Sequence, residues 1–394
     1  MSGPVFCSFA NTYFFQTFSG GVLLRSIGVA KSRLFIHHTM IAKPDLLSLC
    51  EDISKAAGRI KLHVRKTPLE YSPWLSDVGK SKVYIKLESE QITGSFKLRG
   101  AFNKLLTLKE SNDEVFLTNG VITASTGNHG AATAYASSKV GTPVTIYVPE
   151  TTSYAKLKVV KQFGGSVKFH GEDCVETEVT ARNAAKVQQY CCTPYESGMH
   201  FVSPYNDLVV VAGQGTIGVE IFEDLADVDS VFVAVGGGGL IGGIAAYLKS
   251  VKPGIKTLLM PTQLLILMQM IGCQPSQSAV MSESVKAGKI LDLPSGDTLS
   301  DGTSGGVEEN SVTFDLCKYL VDEWILVSEE EISRAVYQFM ENHHKIVEGA
   351  AGVAIAAYLK DHNRFQGQNV VIISCGANIT MKKLKEVILQ WDQI

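Results

Sequence analysis

The period of hydrophobic and polar positions changes repeatedly along the chain. From Asp45 onward, SLCEDISKAAGRI places apolar residues at helical spacing, and KVYIKLE then supplies a short β run. Further β runs follow at VFLTNGVITAS, PVTIYVP, SVKFHG, DSVFVAVGGGG and NVVIISCG, with helix-like stretches between them. β-branched runs of this length alternating with helices predict parallel strands joined by crossover helices, an α/β fold. In such sheets a ligand sits beyond the carboxyl ends of the strands, where glycine-rich turns lead into helices. One segment breaks the rhythm: TLLMPTQLLILMQMIGC, Thr257 to Cys273, is a long apolar run holding Pro261, Gln263 and Gln269. A membrane span needs about 20 apolar residues and tolerates internal Pro and Gln poorly, so this segment is read as a buried strand plus an insertion.

Glycine is the most visible local signal and the easiest to misread. Gly237, Gly239 and Gly242 in GGGGLIGG fit G-x-G-x-x-G, and so do Gly213, Gly215 and Gly218 in GQGTIG. A dinucleotide site also wants an acidic residue about 20 positions on to hold the ribose. From Gly237 the chain meets no Asp or Glu until Glu283, which removes half of that signature. Four consecutive glycines, Gly236 to Gly239, instead leave no side chain between backbone N–H groups and a ligand, a geometry suited to one phosphate monoester at a helix N-terminus.

Two more segments carry chemistry. In GSFKLRGA, Gly94 to Ala101, Lys97 stands among small and apolar neighbours, which lower an amine's pKa and make it a nucleophile toward carbonyls. In ASTGNHGAATAYA, Ala124 to Ala136, the hydroxyls of Ser125 and Thr126 precede an Ala-rich helix with Asn128 and His129 at its start. Hydroxyls and free N–H groups at a helix N-terminus form a carboxylate pocket.

The ordered set S-x-K-x-R-G, S-x-G-N-H-G, G-G-G-G-L, E-G-A-A-G and S-C-G resembles the fold-type II pyridoxal-phosphate family, which contains threonine and serine dehydratases, serine racemases and β-synthases. The resemblance runs from about Lys66 to Asn378 and is nearest to the dehydratase and racemase branch, without the regulatory extension of some biosynthetic relatives. It implies a tryptophan synthase β-like architecture of two open parallel-sheet α/β domains, with the active site in the cleft. The larger, cofactor-binding domain would comprise 40–117 and 206–394, and the smaller inserted domain 118–205. The resemblance also implies that Lys97 carries pyridoxal 5'-phosphate and takes the α-proton, and that Asn128 meets the cofactor's phenolic oxygen. Gly236, Gly237, Gly238, Gly239 and Leu240 would hold its phosphate, Glu348 would stand near the ring edge, and Ser374 would face the pyridine nitrogen. Ser125, Thr126, Asn128 and His129 would bind the substrate. The activity implied is removal of water and ammonia from L-threonine or L-serine.

Thr126 occupies the place where racemases have a serine acid/base and many dehydratases an alanine, so serine racemase is the alternative. An inactive amino-acid-binding relative is the second. Where racemase relatives bind a divalent cation, the corresponding residues here are Gln274 and Val280, so no metal is expected. His343 and His344 are adjacent on a helix and are read as surface residues, not as a ligand pair.

Composition bounds the remaining choices. A net charge of -3 and the lack of a Lys/Arg stripe argue against a nucleic-acid partner. The eight cysteines show no CxxC pair, which fits a reduced, intracellular, cytoplasmic protein. Residues 1–39 carry Arg25, Lys31 and Arg33 and no acid, so a mitochondrial leader is the alternative location. Relatives in the family are usually dimers or tetramers, which makes a homo-oligomer the expectation.

Overall fold

The computed structural model describes residues 17–18, 21–22, 45–152, 154–172, 174–186, 199–252 and 268–392. Its contacts divide the chain into Met1–Ala42 and Lys43–Ile394. In the first unit the described residues are an antiparallel pair of two-residue strands, Thr17–Phe18 and Gly21–Val22. The rest of the expected leader lies outside the described residues, as do residues 257–267 of the apolar insertion.

The second unit contains two sheets. The larger has six strands in the order Glu323–Val327, Gln269–Pro275, Ser230–Ala234, Asn369–Ile373, Lys82–Lys86 and Leu69–Tyr71, all parallel to their neighbours except the last. The smaller has four parallel strands, Ser166–Phe169, Val144–Val148, Val121–Ala124 and His200–Phe201. Strands covered on both faces by crossover helices must be apolar throughout, and all five residues of Ser230–Ala234 are buried. The apolar run that ends at Cys273 leads into a strand, Gln269–Pro275, second from one edge of the large sheet. Helix Lys97–Glu110 carries Leu98, Ala101, Phe102 and Leu105 into one core with Val121, Val144 and Ile146 of the small sheet.

Three expectations change. VFLTNGVITAS is not one β run: Glu114–Asn119 is helical, and only Val121–Ala124 is strand. Asp113 accepts a hydrogen bond from Phe116 N at 2.9 Å, and that cap outweighs the apolar pattern of six residues. His343 is not a surface residue: its side chain is 4% exposed, stacks on Phe339 with ring centroids 4.5 Å apart, and lies 2.9 Å from Ser72 Oγ. His344 does lie at the surface, as the left-handed C-cap of helix Glu329–His343.

The third change concerns GQGTIG, which follows no strand and makes no turn. It lies inside helix Leu208–Asp224, where its glycines let neighbouring helices approach. A Cβ on Gly213 would fall 2.6 Å from Gly100 Cα and 2.7 Å from Arg99 O, and one on Gly215 would meet Gly243 O at 2.9 Å. Backbone cannot yield as a side-chain tip can. Gly213→Ala is therefore expected to destabilise the fold by about 1 to 3 kcal/mol through overpacking, read as a lower midpoint in thermal or urea unfolding. An unchanged midpoint would contradict the tight helix contact.

Candidate active site

Lys97 is the first residue of its helix and is half-buried. The amine donates to the Pro204 carbonyl at 2.8 Å. A carbonyl satisfies the donor without neutralising a charge, so burial dominates and pushes the Lys97 pKa down to about 8, against the pull of Cys375 and Glu348. An amine in that range is a usable base and nucleophile near neutral pH. The signal in the sequence was the small, apolar neighbourhood of Lys97, and the structure explains it: Ser95 pairs with Gly376 in an isolated bridge, which places GSFK against SCG.

Glu348 joins these segments. It is 6% exposed and is the N-cap of helix Gly349–Asp361. It accepts from Asn128 Nδ2 at 2.9 and 3.1 Å and from Asn378 N at 3.1 Å. Asn378 Nδ2 in turn donates to Asn128 Oδ1 at 2.6 Å. Burial raises the Glu348 carboxyl to about 7 despite these donors. A Cβ on Gly376 would fall 2.5 Å from Glu348 Oε1, so only glycine lets the carboxylate stand there.

The glycine loop follows strand Ser230–Ala234 and opens helix Gly239–Val251, with Gly238 at φ +82° and no side-chain cap on the helix. The first N–H groups of that helix are thus left to a ligand or solvent. Tyr205 packs on the loop closely enough that a Cβ on Gly237 would fall 2.3 Å from its ring. The Tyr205 hydroxyl accepts from Glu308 N at 3.0 Å. Tyr205 follows Pro204, the acceptor of the Lys97 amine, so lysine and loop share one wall. Leu240 is buried just beyond the loop.

Ser374 ends strand Asn369–Ile373, is fully buried, and its hydroxyl donates to Ser89 Oγ at 3.0 Å. Ser125 and Thr126 are half-buried ahead of helix Asn128–Val140, and Ser125 Oγ accepts from Gly127 N at 3.2 Å. His129 stands apart from these hydroxyls. It is 3% exposed, its Nε2 lies 2.9 Å from Val202 O, and burial followed by the Lys97 charge depresses its pKa to about 3. Its ring is therefore neutral, with the proton on Nε2, and cannot offer a positive charge to a carboxylate. Gln274 is saturated internally: its Nε2 donates to Val235 O at 3.0 Å and its Oε1 accepts from Ser282 N at 2.8 Å.

These groups fit a pyridoxal phosphate. The half-buried amine has no carboxylate partner among the described residues, and the loop of glycines before an uncapped helix suits the phosphate. A buried serine hydroxyl stands at a strand end, and Ser95 Oγ and His129 Nδ1 are buried without partners. Pro204, Tyr205, Gly376 and Asn378 belong to the same site and were not singled out from the sequence. Gly376 and Asn378 follow Ser374 closely enough to have been found. Pro204 and Tyr205 come from a segment whose sequence carries no signal.

Residues 60–376 match the family described as "Pyridoxal-phosphate dependent enzyme". The L-threonine dehydratase catabolic TdcB of Staphylococcus aureus is 39% identical over 341 residues, which cover 86% of this chain and 91% of that protein. The processed form of threonine deaminase isoform 2 from Solanum lycopersicum superposes with a TM-score of 0.77 at 32% identity, covering 88% of this chain and 93% of that one. Maize serine racemase superposes with a TM-score of 0.75 at 27% identity, covering 87% and 98%.

The elevated Glu348 pKa sets a pH dependence. The folded state holds this proton more tightly than the unfolded chain, where a glutamate titrates near 4.5, so the stabilisation is complete below that value and is lost as pH rises through about 7. Relative to Glu348→Gln, the native protein is expected to lose up to about 3 kcal/mol of stability between pH 5 and pH 8. Urea unfolding of both proteins across that range checks this, since His129 is common to both. A pH-independent difference would contradict it.

Proposed function

The chain belongs to the pyridoxal-phosphate dependent enzyme family, and from that premise we propose that it is an L-threonine/L-serine ammonia-lyase, releasing 2-oxobutanoate or pyruvate with ammonia. The observation that carries this reading is the half-buried Lys97 amine, bound to a carbonyl and with its pKa lowered to about 8. The likeness to proteins named threonine dehydratase and threonine deaminase supports the choice of substrate.

Bound pyridoxal phosphate supplies an electron sink that labilises the substrate's α-hydrogen. The residues around it have separate tasks in this proposal. Lys97 holds the cofactor and, once freed by substrate, moves the proton at Cα. Its depressed pKa keeps a useful fraction neutral near pH 7. Gly236 to Leu240 hold the phosphate with backbone N–H groups at the start of helix Gly239–Val251. Ser374 offers the ring nitrogen a hydroxyl, which does not favour a protonated ring as a carboxylate would. Ser125 and Thr126, with the first N–H groups of helix Asn128–Val140, hold the substrate carboxylate, and His129 contributes through its backbone. Asn128, oriented by Glu348 and Asn378, faces the phenolic oxygen.

A serine racemase is the second reading, favoured by the hydroxyl of Thr126 and by the likeness to maize serine racemase. A β-branched side chain is stiff at χ1, which disfavours it as a mobile acid/base. We further propose that 118–205 forms the smaller body of a two-domain enzyme, that the protein works as a homo-oligomer, and that it resides in a reducing compartment, cytoplasmic in the first instance. Unpaired Cys50, Cys273, Cys317 and Cys375 suit such a compartment. Among the described residues no helix is long and apolar enough to cross a membrane.

Purified protein supplied with pyridoxal phosphate is expected to develop a visible absorption band and to release 2-oxo acid from L-threonine or L-serine. Lys97→Ala is expected to lose the band and at least about a thousandfold in turnover. Thr126→Ala should keep dehydration and lose any D-serine formation. A band with D-serine and no 2-oxo acid would favour the racemase, and no band would overturn both.

A further inference from the structure

Helix Lys97–Glu110 starts without a side-chain cap, since its N-cap, Phe96, has helical backbone and makes no such bond. The first turn of an uncapped helix is where fraying begins, yet Lys97 is its first residue. Something else must hold it. Two residues on, about 200° around the helix axis, Arg99 leaves the opposite side and is fully buried.

Arg99 is held by two carboxylates. Its Nε and Nη2 donate to Glu88 Oε2 and Oε1 at 2.8 and 2.7 Å, and its Nη1 and Nη2 donate to Glu220 Oε1 and Oε2 at 2.7 and 2.9 Å. Lys86, also fully buried, closes the set by donating to Glu220 Oε2 at 2.6 Å and to Thr67 O at 2.7 Å. Two cations and two anions thus balance. Lys86 ends a strand of the large sheet, Glu88 begins the short 3-10 turn after it, and Glu220 lies on helix Leu208–Asp224. The close contact of Gly100 with Gly213 brings that helix near enough for Arg99 to reach Glu220.

We propose that Arg99 is a positioning residue for Lys97: bridging Glu88 and Glu220, it fixes the first turn of the helix and so the place of the amine relative to Ser374. The connection to Ser374 is direct. Glu88 is followed by Ser89, whose N–H donates to Ser374 O at 2.8 Å and whose hydroxyl accepts from Ser374 Oγ at 3.0 Å. One buried cluster therefore sets the register of the amine and of the hydroxyl, which the functional reading places on the same cofactor, and the inference rests on that reading. Buried ion clusters roughly break even in stability against apolar side chains of the same volume, so geometric definition is the better account of this one. The titratable groups that act on Lys97 are Glu348 and Cys375, and the neighbouring His129 ring is neutral.

The test uses the full chain with Arg99→Lys and Glu220→Gln, read first without cofactor. The pH dependence of Lys97 acetylation, followed by mass spectrometry, gives the titration of the amine, and thermal unfolding reports the fold. Arg99→Lys cannot bridge two carboxylates, so the amine is expected to become better solvated and its titration to move up toward an ordinary lysine by about one unit or more. With cofactor, kcat is expected to fall tenfold or more, with KM changing less than threefold. Glu220→Gln should move both readouts the same way by less. If Arg99→Lys does not fold, Glu220→Gln decides alone. A folded variant whose Lys97 titration and kcat match the native protein, whatever its melting temperature, would overturn the proposal. Loss of the functional reading would appear separately, as a native protein without a cofactor band.

Discussion

An ammonium drawn out of water is costly unless it is paired, and this chain half-buries Lys97 with the Pro204 carbonyl as its one hydrogen-bond acceptor among the described residues. Much of the surrounding arrangement serves that condition. Glu348, the carboxylate that acts on the amine, is itself engaged by the amides of Asn128 and Asn378. The result is an amine held near its titration point in a place where backbone, not charge, meets it. That state has little value as a fold element and clear value as chemistry.

The same site depends on close approach. The glycine loop can lie under Tyr205 because Gly237 has no side chain, and Glu348 can stand beside the SCG turn because Gly376 has none. Both sheets contribute through the carboxyl ends of their strands. Ser374 and the glycine loop follow central strands of the large sheet, and the hydroxyls of Ser125 and Thr126 follow strand Val121–Ala124 of the small one. Helix Lys97–Glu110 packs into the small sheet's core with one set of side chains and reaches the large sheet's strand end through Arg99. It is therefore the element on which the two halves of the site agree.

Much of this was legible from local pattern. Strands buried on both faces declare themselves as apolar runs, and a lysine amid small residues declares a perturbed amine. Other parts were not. The helix Glu114–Asn119 depends on one cap at Asp113, which a period count does not weigh. GQGTIG passes the same glycine template as GGGGLIGG because the template records glycine spacing and cannot tell close helix packing from a turn. His129 was grouped with the hydroxyls by its place in the motif, whereas its ring turns to Val202. The Arg99 cluster joins residues separated by as many as 134 positions, from Lys86 to Glu220, and only the fold brings them together.

The central claim is that Lys97, among all the lysines of the chain, is the one that carries the cofactor. Borohydride reduction of protein loaded with pyridoxal phosphate, followed by peptide mapping, tests this directly. The account requires a single stoichiometric adduct on the peptide containing Lys97. An adduct on another lysine, with Lys97 unmodified, would contradict it.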